Sequence, residues 1–328
     1  MSQPVVAEIV RSGIVEGHHY GALVALGAEG EPAWRIGDVE RPILARSCNK
    51  PIQALAMVRL GLDLPADLLA LACASHSGEE MHLKGVKKIL KGAGLKVDAL
   101  QTPPDYPLDD AAREAVLRRG GERESLTMNC SGKHAAMLAT CVLNDWPTES
   151  YRDPEHPLQV AIRATFEELT GEPAQVAVDG CGAPLLSCSL TGLARAFRTL
   201  AVAHTGPEER VAEAIRAHPE MVSGSSRDER ALLTAVPGAI GKAGAEACYV
   251  VALPDGRAYA LKIEDGGARA RPVLMAAALV RDGVDLERGN DGHALRATGE
   301  APLLGAGQPV GEVRAVLDDV EVLAGASA

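Results

Sequence analysis

The spacing of apolar positions divides the chain into three stretches. Residues 5–37 are rich in Val and Ile and are interrupted by Gly-containing turns such as Ala28-Glu29-Gly30-Glu31-Pro32. That pattern predicts two or three antiparallel strands, with Tyr20 to Leu26 the most apolar part. From Pro51 to Leu60 the spacing becomes helical, and it recurs at 79–92, 109–119, 133–143, 156–169, 193–204, 207–217 and 228–235. Strand signals return in Cys248–Leu253 and Tyr259–Ile263, on either side of Pro254-Asp255-Gly256, and a helix at 272–281 follows. Strands at both ends of the chain thus bracket a helical middle. The order predicts an α+β fold in which one antiparallel sheet, formed from N- and C-terminal strands, has helices packed around it. The chain contains no repeat or low-complexity linker. Its 328 residues suit one large domain over 1–328 or two intimate lobes, with Pro103-Pro104-Asp105-Tyr106-Pro107 the best loop or lobe boundary. Beyond about Asp285 no motif stands out.

Composition narrows the function classes. Aromatic residues are only 3% of the chain, so Ala, Leu and Val must fill the core. A formal charge of −11 argues against nucleic acid or an anionic membrane as partner, and the cluster Lys84, Lys87, Lys88 and Lys91 reads as a solvated helix face. The start lacks a basic segment followed by an apolar stretch, and no run of about 18 apolar residues occurs, so a cytoplasmic protein without membrane contact is expected. Seven cysteines, an odd and scattered set, favour reduced thiols over a disulfide framework and leave some free to bind metal.

Four segments carry candidate chemistry. Arg46-Ser47-Cys48-Asn49-Lys50-Pro51 places Ser-x-x-Lys just before a helical pattern, and Pro51 is tolerated only in a first turn. A spacing of three sets Lys50 one turn from Ser47. A neutral amine there could accept the hydroxyl proton, while helix N-terminal amides offer positive potential to an oxyanion; the same residues would also serve as a cap and a solvated lysine. Cys73-Ala74-Ser75-His76-Ser77-Gly78-Glu79-Glu80 puts small hydroxyls at an element end, where Ser75 could orient a proton and Ser77 with the glutamates suits a helix start. Asn129-Cys130-Ser131-Gly132-Lys133-His134 and Asp179-Gly180-Cys181 hold metal-ligand types compatible with a three-ligand zinc site with an open position, or with thiols that simply pack. No upstream glycine makes Ser131-Gly132-Lys133 a phosphate-binding loop. Lys242-Ala243-Gly244 resembles the Lys-Thr-Gly element of an inner strand in serine β-lactamases, or else a lysine in a Gly-rich turn.

In this order, and together with Gly21-Ala22-Leu23-Val24, Pro51-Ile52-Gln53-Ala54-Leu55, His156-Pro157-Leu158-Gln159 and Lys242-Ala243-Gly244-Ala245-Glu246, these segments resemble the L-asparaginase II family through most of the chain. The resemblance implies a serine β-lactamase and glutaminase-like fold and hydrolysis of L-asparagine to aspartate and ammonia. It implies Ser47 as nucleophile with Lys50 as base, and Ser75 with Lys242 as a second pair, with Lys262 a rival for the last role. Arg46, His134 and Asp179 would lie near the substrate, and zinc would be held by Cys130, Lys133 and Cys181. A homodimer is compatible with it. The other readings are a β-lactamase-like or other cytosolic acyl hydrolase, and a zinc-dependent protein that binds an amino acid without reaction.

Overall fold

The computed structural model describes residues 3–285 and 298–323. The chain divides into two compact units. The first comprises Met1–Cys48, Cys188–Val202 and Ala231–Ala328, and the second comprises Asn49–Ser187 and Ala203–Arg230. Elements are numbered along the whole chain.

The first unit is built on a sheet from both ends of the chain. Its strands are β1 (Val5–Arg11), β2 (Ile14–Leu26), β3 (Pro32–Ile36), β7 (Ile240–Ala243), β8 (Cys248–Ala252), β9 (Ala258–Ile263), β10 (Ala301–Gly305), β11 (Gln308–Ala315) and β12 (Glu321–Val322); a short β4 (Ile43–Leu44) also belongs to this part of the chain. The order is β10-β11-β1-β2-β9-β8-β7, with β3 joining β2 to β12. Antiparallel pairs such as Leu23↔Leu261 and Val250↔Ala260 set the register. The burial of β2 changes along its length: Ile14–Glu16 are exposed and Gly21–Leu26 are buried, because the second half lies between β9 and β3. Gly21 is required there, since a Cβ would stand 2.5 Å from the Lys262 carbonyl. Helices α7 (Leu190–Ala201) and α11 (Ala270–Arg281) pack on the sheet, α7 against β2, β8 and β9 and α11 against β9 and β11. The α+β class and the antiparallel sheet from both chain ends stand as the apolar pattern predicts.

The second unit is mainly helical: α1 (Lys50–Arg59), α2 (Ala66–Ala72), α3 (Glu80–Gly92), α4 (Asp110–Arg118), α5 (Ser131–Leu143), α6 (Pro157–Thr170), α8 (Gly206–Ala217), α9 (Pro219–Val222) and α10 (Asp228–Ala235), the last running on past this unit, with a hairpin of β5 (Val176–Val178) and β6 (Pro184–Cys188). Every residue of α1 from Lys50 to Val58 is buried, as befits a helix apolar nearly all round and surrounded by others. It packs against α5, α6 and α8. Gly132 lets α5 approach α2, for a Cβ would meet the Leu71 carbonyl at 2.6 Å. The segment Pro103–Pro107 lies inside this unit rather than at a boundary.

Several elements were not legible in the pattern. α2 is seven residues long, too short to display a period. β10, β11 and β12 lie beyond Asp285, where no motif had stood out; their residues are largely exposed, so no apolar alternation marks them.

Candidate active site

Two buried lysines dominate the second unit. Lys50, the first residue of α1, is 1% exposed. Its Nζ donates to the Ala74 carbonyl at 2.7 Å and to Ser75 Oγ at 2.9 Å. Both acceptors are neutral oxygens. They lie just after α2, where the chain leaves its C-cap Cys73, and the Ser75 amide is fixed in turn by the Val222 carbonyl at 3.1 Å. The solvated-lysine reading of Lys50 is therefore wrong, and Ser75 is neither cap nor surface residue. The helix start anticipated in the same segment forms at its end: Glu79 caps α3 in a reciprocal box with His82.

Lys133, in the first turn of α5, is 2% exposed and has a different neighbour: its Nζ lies 3.3 Å from Cys181 Sγ. Cys130, the N-cap of α5, and Cys181, in the turn of the β5–β6 hairpin, are both buried and pack together with Met128 and Ala183. The hydrogen bond from Cys130, and beyond it the Lys133 charge working against burial, drive the Cys181 thiol far below its ordinary range. The same hydrogen bond, reinforced by burial, pushes Cys130 well up. Burial opposes the Lys133 charge, but Cys181, Cys130 and Asp179 outweigh it, so this amine holds its proton more tightly than a free lysine. Lys133 and Cys181 thus form a buried ammonium–thiolate pair.

His134, fully buried beside Lys133, is pushed down to about 4, chiefly by burial and then by the Lys133 charge. With the ring neutral, Nδ1 receives the Tyr151 hydroxyl at 2.6 Å, and that hydroxyl accepts the Gln101 amide at 3.3 Å. Nε2 meets no acceptor at full hydrogen-bond geometry, although Cys181 is close enough for its thiolate to favour charge on the ring. Asp179 is half-buried at the hairpin turn, 3.8 Å from Cys181 Sγ through Oδ2. The structure thus gathers Cys130, Lys133, His134, Asp179 and Cys181 into one cluster.

Two thiols and an amine suit zinc, whose ligands are soft or borderline donors. Among the described residues no group of three or more His, Cys, Asp or Glu side chains could hold a metal ion, and Lys133 is the further donor beside the Cys181 thiol. Its proton would leave on binding. The donor set fits under that condition.

In the first unit, Ser47 lies half-buried in a 3-10 turn, Arg46–Asn49, that leads into α1; the regular helix begins at Lys50 rather than at the serine. Arg46 enters this turn at φ +51°, a left-handed conformation that a non-glycine residue rarely adopts. Its guanidinium is directed to Glu246 at 3.7 Å, and Glu246 and Ala247 are left-handed as well, at +55° and +50°. Cys48 Sγ donates to the Lys242 carbonyl at 3.0 Å, and a Cβ on Gly244 would meet the Ala45 carbonyl at 3.0 Å. The Arg46–Asn49 turn and the β7–β8 turn are therefore packed backbone to backbone. Lys242 is fully buried on β7, the edge strand of the sheet rather than an inner one, and its Nζ donates to the Ala243 carbonyl at 2.9 Å. Lys262, on β9, is only half-buried.

Against known proteins the chain matches the family model for L-asparaginase II over residues 7–315. It belongs to the L-asparaginase II family. That makes it an amidohydrolase. A comparison with curated proteins returned no match. Solved structures with some likeness include the native form of Mglu (14% identity, TM-score 0.43, 80% of this chain and 63% of that one). A β-lactamase from Mycobacterium bovis (14%, TM-score 0.37, 85% and 96%) and a Bacillus glutaminase (11%, TM-score 0.42, 80% and 91%) are further examples. The chain thus spans less than two thirds of Mglu, and scores this low leave the fold assignment resting on the topology above.

Tyr151, Cys48 and Glu246 are the neighbours of the candidate residues that the sequence did not single out. Cys48 and Glu246 lie within quoted motifs, whereas nothing in local spacing ties Tyr151 to His134 across 17 positions.

Proposed function

We propose that the protein is an L-asparaginase in which Ser47 forms an aspartyl ester with release of ammonia. The observation that carries this reading is the hydrogen bonding of Lys50, a buried amine that meets only the neutral oxygens of Ala74 and Ser75. A base needs a path for the proton it takes up, and the Ser75 hydroxyl in hydrogen-bond contact with the amine offers one. Ser47 precedes Lys50 by three residues, so the chain alone keeps their backbones within about 11 Å.

The reaction divides into two steps. Ser47 Oγ attacks the side-chain amide carbon, its proton passes to Lys50 directly or through Ser75 Oγ, and the lysine returns it to the departing nitrogen, which leaves as ammonia. Water then attacks the ester carbon, gives its proton to the same base, and releases aspartate while Ser47 regains its hydrogen. Lys242 is the second lysine of this reading and is preferred to Lys262 for its burial. Backbone amides of the 3-10 turn would receive the negative charge on the carbonyl oxygen. Cys130, Lys133 and Cys181 would hold a zinc ion, which when bound supplies a Lewis acid able to polarise a carbonyl. His134 and Asp179 beside them orient the substrate.

Ammonia release from L-asparagine, L-glutamine and a chromogenic β-lactam tests the reading. L-asparagine is expected to be turned over fastest. Hydrolysis of the β-lactam alone would replace it with an acyl hydrolase of another class, and binding of L-asparagine without ammonia release would replace it with a binding protein.

A further inference from the structure

One arginine of the second unit differs from most of its kind. Arg59, Arg118, Arg163, Arg210 and Arg216 each hold a carboxylate within ion-pair distance. Arg227 is half-buried and holds none among the described residues. Its single hydrogen bond, from Nη1, goes to the main-chain oxygen of Ser75 at 3.4 Å. In a chain with a formal charge of −11, carboxylates are plentiful, so a half-buried guanidinium without one has its remaining donors available to an anion from outside.

Its position is not left to a loose loop. The preceding residues form the short segment Ser223-Gly224-Ser225-Ser226, which is fastened at three points. Glu79 accepts the Ser225 amide at 2.8 Å and the Ser225 hydroxyl at 2.6 Å. The Ser226 hydroxyl reaches Asp109 at 3.1 Å. Gly224, at φ +150°, lies so close to Ser77 that an added Cβ would collide with that hydroxyl. The carboxylates that hold this segment, Glu79 and Asp109, are engaged by these serines. The guanidinium is thereby held at the main-chain oxygen of residue 75, and Lys50 holds the hydroxyl of the same residue.

We propose that Arg227 is the anchor for the α-carboxylate of the amino-acid substrate and sets the enzyme's preference for a free amino acid over a peptide or an α-amide. The inference rests on the amidohydrolase reading of Ser75 and Lys50. In asparagine the α-carboxyl carbon and the side-chain amide carbon are three single bonds apart, at most about 4 Å. A cation one residue's width from Ser75 Oγ is within reach of the carboxylate while the amide lies at the hydroxyls. Guanidinium recognises carboxylate through two parallel hydrogen bonds, which adds orientation to attraction.

The test uses two ligands that share a side-chain carboxylate and differ at the α position. L-aspartate carries an α-carboxylate there, and L-isoasparagine carries an α-amide. Affinities for L-isoasparagine and for the product L-aspartate are measured by calorimetry on the intact protein, wild type and Arg227→Gln, with Arg227→Lys as the variant that keeps the charge. Wild type is expected to favour L-aspartate over L-isoasparagine by on the order of 30-fold, Arg227→Gln to erase that preference, and Arg227→Lys to restore part of it. A preference unchanged in Arg227→Gln, or no preference in wild type, overturns the proposal. Failure of the asparaginase reading has a different signature: no ammonia from L-asparagine, with the carboxylate preference and its loss in Arg227→Gln still present.

Discussion

Lys50 and Lys133 are both buried lysines in first turns of helices, yet they meet different partners. Lys133 faces a thiolate and is held charged. Lys50 hydrogen-bonds only to a carbonyl and a hydroxyl. Burial by itself does not decide whether a lysine is a base or an ion-pair member; the partner does. A hydroxyl partner offers a route for a proton. The thiolate at Lys133 makes that amine a poor base and, with its proton displaced, a reasonable metal ligand.

The largest expected effect would break the comparison on its catalytic side. Ser47→Ala and Lys50→Met should each reduce ammonia release by about 10³-fold or more while the circular dichroism of the fold is retained. If either variant keeps a tenth of wild-type turnover, the covalent mechanism fails at that residue. Stability should divide the two lysines the other way. Lys133→Met strands a buried thiolate and is expected to cost about 3–5 kcal/mol in urea unfolding. Lys50→Met leaves only neutral oxygens without a donor, a loss of about 1–3 kcal/mol. Equal losses would mean that the Lys133–Cys181 pair has no special strength.

Metal content sharpens the same contrast. Protein purified without chelators should contain about one zinc per chain, and Cys130→Ser or Cys181→Ser should remove most of it, whereas Lys50→Met should leave it in place. Elemental analysis that finds no zinc in active wild type would return the two cysteines to the role of packing residues.

The smallest effect concerns acid. His76 and His82 stack at 5.2 Å, and each uses both ring nitrogens as a neutral imidazole. His76 accepts the Gly78 amide on Nδ1 and donates from Nε2 to Ser131 Oγ, whose own hydrogen goes to Leu126. His82 accepts the Glu79 amide and donates to the Glu220 carbonyl. Burial lowers the basicity of both, and in His76 the neighbouring His82 and Lys50 lower it further. The unfolded chain therefore binds protons below about pH 6.5 that the folded chain refuses, so stability is lost as pH falls from that value. His82→Gln should make the fall of thermal midpoint between pH 6.5 and 5 less steep. A wild-type midpoint flat across that interval would show that these rings accept protons in place.

The antiparallel sheet from both chain ends and the helical middle were legible in the sequence because burial writes a period of two or of 3.6 into strands and helices long enough to repeat it. The Ser47–Lys50 spacing, the thiols at 130 and 181 and the Gly-rich approach to Lys242 were equally legible as chemistry, and the family follows from their order. What local pattern could not contain is who meets whom. The pairing of Lys50 with Ser75, of Lys133 with Cys181, of Tyr151 with His134 and of Arg227 with the Ser75 carbonyl joins residues 17 to 152 positions apart. The first two pairs exist because the start of α1 meets the chain leaving α2 and the start of α5 meets the turn of the β5–β6 hairpin. A lysine's charge depends on the atom within about 3 Å of its nitrogen, and only the tertiary structure chooses that atom.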